Sequence, residues 1–151
     1  MDEDYLYVLA VEFRNAILFS VKEGIVTNRL LRSFPRGCCN IASSLLQRYY
    51  DDLGIKTYYV SGNDKKGFGS IGHTWLETPE GTVIDITGDQ FKYNQEHPFD
   101  CPVYVGSKDI SFYRSFPITD EPLDYDRDNE LPDNCQIYEA LMNVIKKFPR
   151  G

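Results

Sequence analysis

The order of apolar and polar positions along the chain predicts helices at both ends and strands between them. Apolar residues recur at three- and four-residue steps from about residue 5 to residue 22, the spacing of an amphipathic helix, and Gly24 ends the pattern. A second long helix is predicted over residues 38–53, with Gly54 at its carboxyl end. Its apolar stripe consists of Ile41, Ala42, Leu45, Leu46, Tyr49 and Leu53. The polar residues assigned to its solvent face are Gln47, Arg48, Asp51 and Asp52.

Shorter patterns fill the rest of the chain. A short helical segment is predicted for residues 27–32, before the break at Phe34-Pro35-Arg36-Gly37. Runs rich in β-branched and aromatic residues predict strands at 56–61, 73–77, 82–86 and 102–106. An acidic solvated loop is predicted over 119–133, followed by a last helix that Asp133 or Asn134 caps and that ends near Lys147. Together these elements predict one α+β domain over residues 1–151.

Composition and charge narrow the classes of partner. The chain has 151 residues, of which 42% are hydrophobic, so it is long enough to bury a core and too apolar to be disordered throughout. Its formal charge of -7 disfavours binding to the phosphate backbone of nucleic acids or to anionic membrane surfaces. We therefore predict neither a nucleic acid nor a membrane as a partner.

The start of the chain and its cysteines bear on the compartment. The first four residues, Met1-Asp2-Glu3-Asp4, are acidic where a signal peptide carries positive charge. Cys38 and Cys39 are adjacent, a poor arrangement for a disulfide framework, so the four thiols are predicted to be reduced. These features predict a cytoplasmic protein. An effector that is secreted without a cleaved signal has the same features.

Three segments offer a thiol, an imidazole and a carboxylate, the parts of a nucleophilic triad. The predicted helix at 38–53 begins with two cysteines, and the positive end of a helix lowers the pKa of a thiol. The chain has two histidines, so the base for a cysteine is His73 or His97. His97 precedes a proline in an unpatterned loop, and we predict no role for it. His73 and Asp85 lie in consecutive predicted strands, which places them within reach of each other.

The spacing of these segments resembles the core of transglutaminase-like proteins, within the wider papain-like fold. The matching segments are Gly37-Cys38-Cys39, Leu45-Leu46, Leu53-Gly54-Ile55 and Tyr58-Tyr59-Val60-Ser61-Gly62. His73-Thr74-Trp75-Leu76-Glu77 is similar to the family's His-Ala-Trp-x-Glu strand, and Val83-Ile84-Asp85 is similar to its hydrophobic-Asp strand. The resemblance covers roughly residues 35–91. It implies a papain-like (transglutaminase-like) core, with N-terminal helices and the nucleophile helix packed on an antiparallel sheet.

The resemblance also implies roles for the site residues. Cys39 is the expected nucleophile, His73 the base and Asp85 the acid that orients the histidine. Cys38 remains an alternative nucleophile, and Asp89 an alternative third member. Papain-type proteases place a glutamine ahead of the cysteine as an oxyanion donor, and residues 32–36 contain none. The Cys39 N–H is therefore expected to serve, with the second donor unassigned.

The expected activity is cysteine-dependent hydrolysis of an amide bond in a protein or peptide substrate, through a thioester intermediate. A peptidase, an amidase and a protein-glutamine deamidase all fit this description. Resolution of the thioester by an amine would instead make the protein a transglutaminase or acyltransferase. A non-catalytic binding module, working through the 62–72 loop and the acidic segment, is the competing class.

No cofactor and no metal are predicted. The acidic run from Asp124 resembles the start of a calcium loop, but Asn129 and Cys135 occupy the positions of its glycine and bidentate glutamate. The cysteines contain no Cys-x-x-Cys pair for zinc. The glycines of residues 67–72 lack the flanking strand and helix of a dinucleotide site, and predict a flexible lip before His73. Phe68 and Trp75 are predicted to line a substrate cleft, and a place in the core is an equal alternative for Trp75.

Overall fold

The computed structural model describes residues 2–148, which form an α+β structure with a four-stranded antiparallel sheet. The strands lie in the order β1-β2-β3-β4. Their bounds are β1 Tyr58–Asn63, β2 Gly72–Glu77, β3 Thr82–Asp85 and β4 Tyr104–Ser107. The helices are α1 Glu3–Lys22, α2 Cys39–Asp52, α3 Ser111–Arg114 and α4 Pro132–Lys147, with 3-10 helices at Gly88–Phe91 and Arg127–Asn129.

Helix α1 forms where the apolar periodicity predicts it. The Asp2 carboxylate accepts a hydrogen bond from the Asp4 backbone N–H (2.9 Å), which caps the first turn. The buried apolar side chains of α1 are Leu6, Leu9, Ala10, Phe13, Ala16 and Ile17, and they pack against α4 and the sheet. Within residues 2–148, no helix is both long enough and apolar enough to cross a bilayer.

Helix α2 packs on β2 and ends at Asp52, one residue before its predicted end. Gly54 follows the helix with a left-handed φ of 77°. Its apolar stripe is buried except for Leu53, which lies past the helix and is exposed. The assignment of Gln47 to the solvent face is wrong, because this side chain is 5% exposed. Its Nε2 donates to the Thr57 carbonyl (3.1 Å) and the Leu123 carbonyl (2.9 Å). These bonds join α2 to the segment before β1 and to the segment that pairs with Tyr59, and helical periodicity contains no signal for them.

The two faces of the sheet have different coverings. Leu76 and Ile84 pair across β2 and β3 and belong to the core beneath α1, α2 and α4. On the opposite face, Trp75 and Val83 belong to a second core that is mainly aromatic. Trp75 is 2% exposed, and its indole N–H donates to the Glu77 carboxylate (3.0 Å). Of the two places predicted for Trp75, the wall of a cleft and the core, the packing of the ring favours the core.

The second core draws its rings from segments that show no clear periodicity. Helix α3 spans one turn, which is too short for a sequence pattern to reveal. It supplies Phe112 and Tyr113, and Phe116 follows directly after it. Phe99 stacks on Phe112 with 4.0 Å between ring centroids. These rings close the face of the sheet that carries His73 and Asp85.

Several predicted boundaries need correction. Residues 27–32 form turns and no helix, since the Asn28 side chain accepts from the Leu30 N–H (2.8 Å) and so competes with helical bonding. Strands β1 and β4 each begin two residues later than predicted. Helix α4 begins at Pro132, ahead of the predicted caps Asp133 and Asn134. Proline is favoured at a first helical position because its fixed φ suits the helix and its missing N–H removes no helical bond.

Replacing Gln47 with alanine tests the corrected role of this residue. Gln47→Ala removes the donor of the Thr57 carbonyl and one of the two donors of the Leu123 carbonyl, so we expect the free energy of unfolding to fall by about 1–3 kcal/mol. Gln136→Ala is the matched control, because Gln136 is an exposed glutamine in α4. Urea denaturation followed by circular dichroism measures both. Equal, small effects of the two substitutions would contradict the buried role of Gln47.

Candidate active site

Three elements bring the predicted triad together. Cys39 is the first residue of α2, His73 lies near the start of β2 and Asp85 is the last residue of β3. His73 Nε2 lies 2.7 Å from Asp85 Oδ2. Continuing the Leu76↔Ile84 register would place Asp85 opposite Trp75, so His73 is its diagonal neighbour and not its direct partner. The diagonal separation is within reach because a histidine side chain is long enough to span it.

Asp85 is held as a carboxylate by several donors. It is 1% exposed, and burial alone would raise its pKa. His73 outweighs that effect by charge and hydrogen bonding, so the pKa of Asp85 lies below its usual value. The Thr87 N–H donates to Oδ1 (2.9 Å), and the Tyr113 hydroxyl donates to Oδ2 (2.8 Å). Sequence reasoning missed Tyr113, because it lies in the single-turn helix.

His73 lies in an aromatic enclosure. Its ring centroid is 4.9 Å from that of Phe91, 5.6 Å from that of Phe112 and 5.9 Å from that of Phe116. Burial disfavours the imidazolium, but the Asp85 carboxylate more than compensates and raises the pKa of His73 to about 9. The histidine is consequently protonated near neutral pH, and its cation is stabilised by Asp85.

Cys39 carries the thiol that His73 contacts. Burial opposes ionisation of the thiol, but the hydrogen bond with His73 and the positive charge of that ring lower the pKa of Cys39 below its usual value. The Thr74 backbone N–H, which bonds to the sulfur, acts in the same direction. Because Nε2 of His73 is engaged by Asp85, Nδ1 is the nitrogen left for the sulfur. Cys39 is also partly exposed, so its sulfur is open to reagents.

Cys38 and Asp89, the two alternative site residues, have other partners. Cys38 is fully buried, and its thiol donates to the Leu30 carbonyl (3.0 Å). Burial raises the pKa of Cys38 to about 11, which suits packing and not attack. Asp89 forms an ion pair with Arg14 (2.8 Å), in which both oxygens accept from the guanidinium. Arg14 also donates to the Ile86 carbonyl (2.6 Å), so this pair fastens α1 to the segment after β3.

Two side-chain amides near the triad went unnoticed in the sequence. Gln90 Nε2 lies 3.4 Å from His73 Nδ1 and 3.3 Å from Thr87 Oγ1. Asn40 follows Cys39, and its Oδ1 lies 3.9 Å from the Cys39 sulfur. Neither residue belongs to a periodic pattern, and only their proximity to the triad distinguishes them from other surface amides.

His97 is paired with an acid outside the triad and has a structural role. Its Nε2 lies 3.0 Å from Asp64 Oδ2, and its ring is 4.6 Å from that of Phe116. Asp64 also accepts from the Ile71 N–H (3.0 Å), so His97 anchors the glycine-rich loop that precedes β2. Phe68, near the tip of that loop, is fully exposed and contributes no wall to a cleft.

The residues that come nearest to a metal ligand set belong to the same loop region. Within residues 2–148, potential ligand atoms of Asp64, Glu96 and His97 lie within 4.8 Å of one another. The Lys66 ammonium forms an ion pair with Glu96, and this positive charge opposes a cation there. The bonds of Asp64 to His97 and to Ile71, which anchor the loop, account for the closeness of these groups.

Comparisons of the chain with protein-family models, with curated proteins and with solved structures found no match.

Proposed function

We propose that the protein is a cysteine-dependent hydrolase that acts on amide bonds in a protein or peptide. The observation that carries the proposal is the Cys39–His73–Asp85 arrangement, with a lowered pKa at the thiol and a raised pKa at the histidine. Buried charge is costly, and a histidine kept protonated beside a partly exposed thiol has a clear chemical use. The papain-like, transglutaminase-like core is part of the proposal, and the order of nucleophile helix and antiparallel strands supports it.

Acylation begins with the thiolate. The sulfur of Cys39 attacks the amide carbonyl carbon, a C–S bond forms, and the carbonyl electron pair moves to oxygen. When the intermediate collapses, the C–N bond breaks, and His73 Nδ1 donates its proton to the leaving amine. The products of this half-reaction are a thioester on Cys39, a neutral imidazole and a free amine.

Deacylation returns the enzyme to its starting state. Neutral His73 takes a proton from water while the water oxygen attacks the thioester carbonyl. The C–S bond then breaks, leaving the thiolate beside the imidazolium and releasing the acid product. Asp85 stays ionised throughout and stabilises the imidazolium, while Tyr113 and Thr87 fix the orientation of its carboxylate.

Selective alkylation tests the ion pair directly. We expect iodoacetamide at pH 7 to label Cys39 at least about tenfold faster than Cys101, whose pKa is raised by burial and by nearby acidic groups. Peptide mapping by mass spectrometry assigns the label to each cysteine, and Cys101 serves as the control within the same molecule. A Cys39 thiol that reacts no faster than Cys101 would support the non-catalytic binding module.

The pH profile of this labelling tests the role of His73. Burial raises the pKa of the Cys39 thiol, and in His73→Ala no imidazolium offsets that effect, so the pKa of the thiol rises. We expect the midpoint of the labelling profile to move to higher pH and the rate at pH 7 to fall about tenfold or more. An unchanged profile in a variant that remains folded by circular dichroism would remove His73 from the mechanism.

A pair of aspartate variants tests which acid supports the histidine. In Asp85→Asn the buried imidazolium loses its counter-charge, so the pKa of His73 falls and Cys39 labelling at pH 7 slows about tenfold or more. Asp89→Asn is the matched control. It weakens the Arg14 pair and lowers the free energy of unfolding by about 1–3 kcal/mol, while labelling keeps its rate. The reverse pattern would assign the acid role to Asp89.

A further inference from the structure

The attack proposed for Cys39 creates a negative oxygen that needs hydrogen-bond donors. Such donors contribute most when they are fixed in place before the reaction. The Cys39 backbone N–H, at the first position of α2, supplies one donor without an intrahelical partner. A second donor has to lie beside the same sulfur and have a free N–H.

Asn40 lies in the required place. It is the second residue of α2 and is exposed to solvent. Its Oδ1 lies 3.9 Å from the Cys39 sulfur, so the planar carboxamide is adjacent to any carbon bonded to that sulfur. Nδ2 is bonded to the same carbon as Oδ1, so this side chain brings an N–H donor to the neighbourhood of the sulfur.

The orientation of the Asn40 carboxamide is set by two hydroxyl groups on the sheet. Thr74 Oγ1 donates to Asn40 Oδ1 (2.7 Å), and the Tyr59 hydroxyl donates to the same oxygen (3.1 Å). These two bonds hold the acceptor end of the carboxamide against β1 and β2. Across residues 2–148, Nδ2 of Asn40 makes no hydrogen bond to another side chain or to the backbone.

The support beneath Asn40 is rigid. Thr74 is 3% exposed, and its hydroxyl also lies 3.1 Å from Ser61 Oγ on the neighbouring strand. The backbone N–H of Thr74 bonds to the Cys39 sulfur. One strand residue therefore positions both the nucleophile and the Asn40 carboxamide, which is the arrangement that preorganisation requires.

Gln90 is the other amide near the triad, and it fits the role less well. Its Nε2 donates to Thr87 Oγ1 (3.3 Å), and the group 3.4 Å away on its other side, His73 Nδ1, carries a proton in the imidazolium and accepts nothing. Nδ2 of Asn40 has no hydrogen-bond partner among residues 2–148. We propose that Nδ2 of Asn40 is the second oxyanion donor and that it positions the substrate carbonyl at Cys39. This inference rests on the proposed thiol chemistry.

Two reagents separate oxyanion stabilisation from thiol reactivity. Iodoacetamide alkylates a thiolate at a saturated carbon, so its rate depends on the thiolate and on no oxyanion. p-Nitrophenyl acetate acylates the same sulfur through a tetrahedral oxyanion and releases p-nitrophenolate, which is measured by absorbance. In Asn40→Ala we expect acylation of Cys39 to slow at least about tenfold. Removal of one oxyanion donor lowers the rate of an enzyme by a factor of ~10²–10³. Alkylation should stay within about twofold of the wild-type rate.

Further variants sharpen the comparison. Tyr59→Phe removes one hydroxyl that orients Asn40, so it should reduce acylation by a smaller factor and leave alkylation unchanged. Asn143→Ala is the matched control, because Asn143 is an exposed asparagine in α4. We expect it to leave both rates at the wild-type values.

The outcomes distinguish this inference from the proposed function. If Cys39 of Asn40→Ala is acylated at the wild-type rate, the inference is overturned. If Gln90→Ala slows acylation and leaves alkylation unchanged, the donor role moves to Gln90. A wild-type protein whose Cys39 fails to react with either reagent would overturn the proposed function and the inference together. Equal losses in both reactions for Asn40→Ala would show that Asn40 acts on the thiolate, and would also overturn the inference.

Discussion

The buried pair of His73 and Asp85 is the interaction on which the site depends. Both side chains are removed from water, where each charge would be strongly disfavoured in isolation. They remain charged because each stabilises the other at 2.7 Å and because the carboxylate accepts from further donors. Loss of either charged group leaves the other buried without its counter-charge. The site is therefore the part of the core where sequence changes are expected to be least tolerated.

The aromatic core around His73 serves two purposes. Phe91, Phe112 and Phe116 exclude water from the ring, which strengthens its interaction with Asp85. The same rings complete the hydrophobic face of the sheet opposite the long helices. Stability and pKa control are thus provided by one set of contacts, while Cys39 lies at the exposed margin where a substrate can approach.

The regular elements and the residue types of the site were predictable because they follow from local pattern. Helices α1 and α2 follow the apolar periodicity, and the strands that carry His73 and Asp85 follow β-branched and aromatic runs. The pairing of these two residues followed from their places in consecutive strands. The errors fall where local pattern is weak. Gln47 is polar yet buried, and the choice between cleft and core for Trp75 was left open by the sequence.

The sequence by itself determined the long helices, the antiparallel strands and the presence of a thiol, an imidazole and a carboxylate in order, because each depends on neighbouring residues. Only the tertiary structure decided that Cys38 is buried while Cys39 is partly exposed, since other segments pack over one of these adjacent positions and not fully over the other. It likewise decided that Asp89 belongs to Arg14, and that Tyr113, Gln90 and Asn40 lie near the triad. Asn40 is next to Cys39 in the chain, but the hydroxyl groups that orient it and the partners of Asp89 and Tyr113 come from distant segments, and no local pattern encodes those contacts.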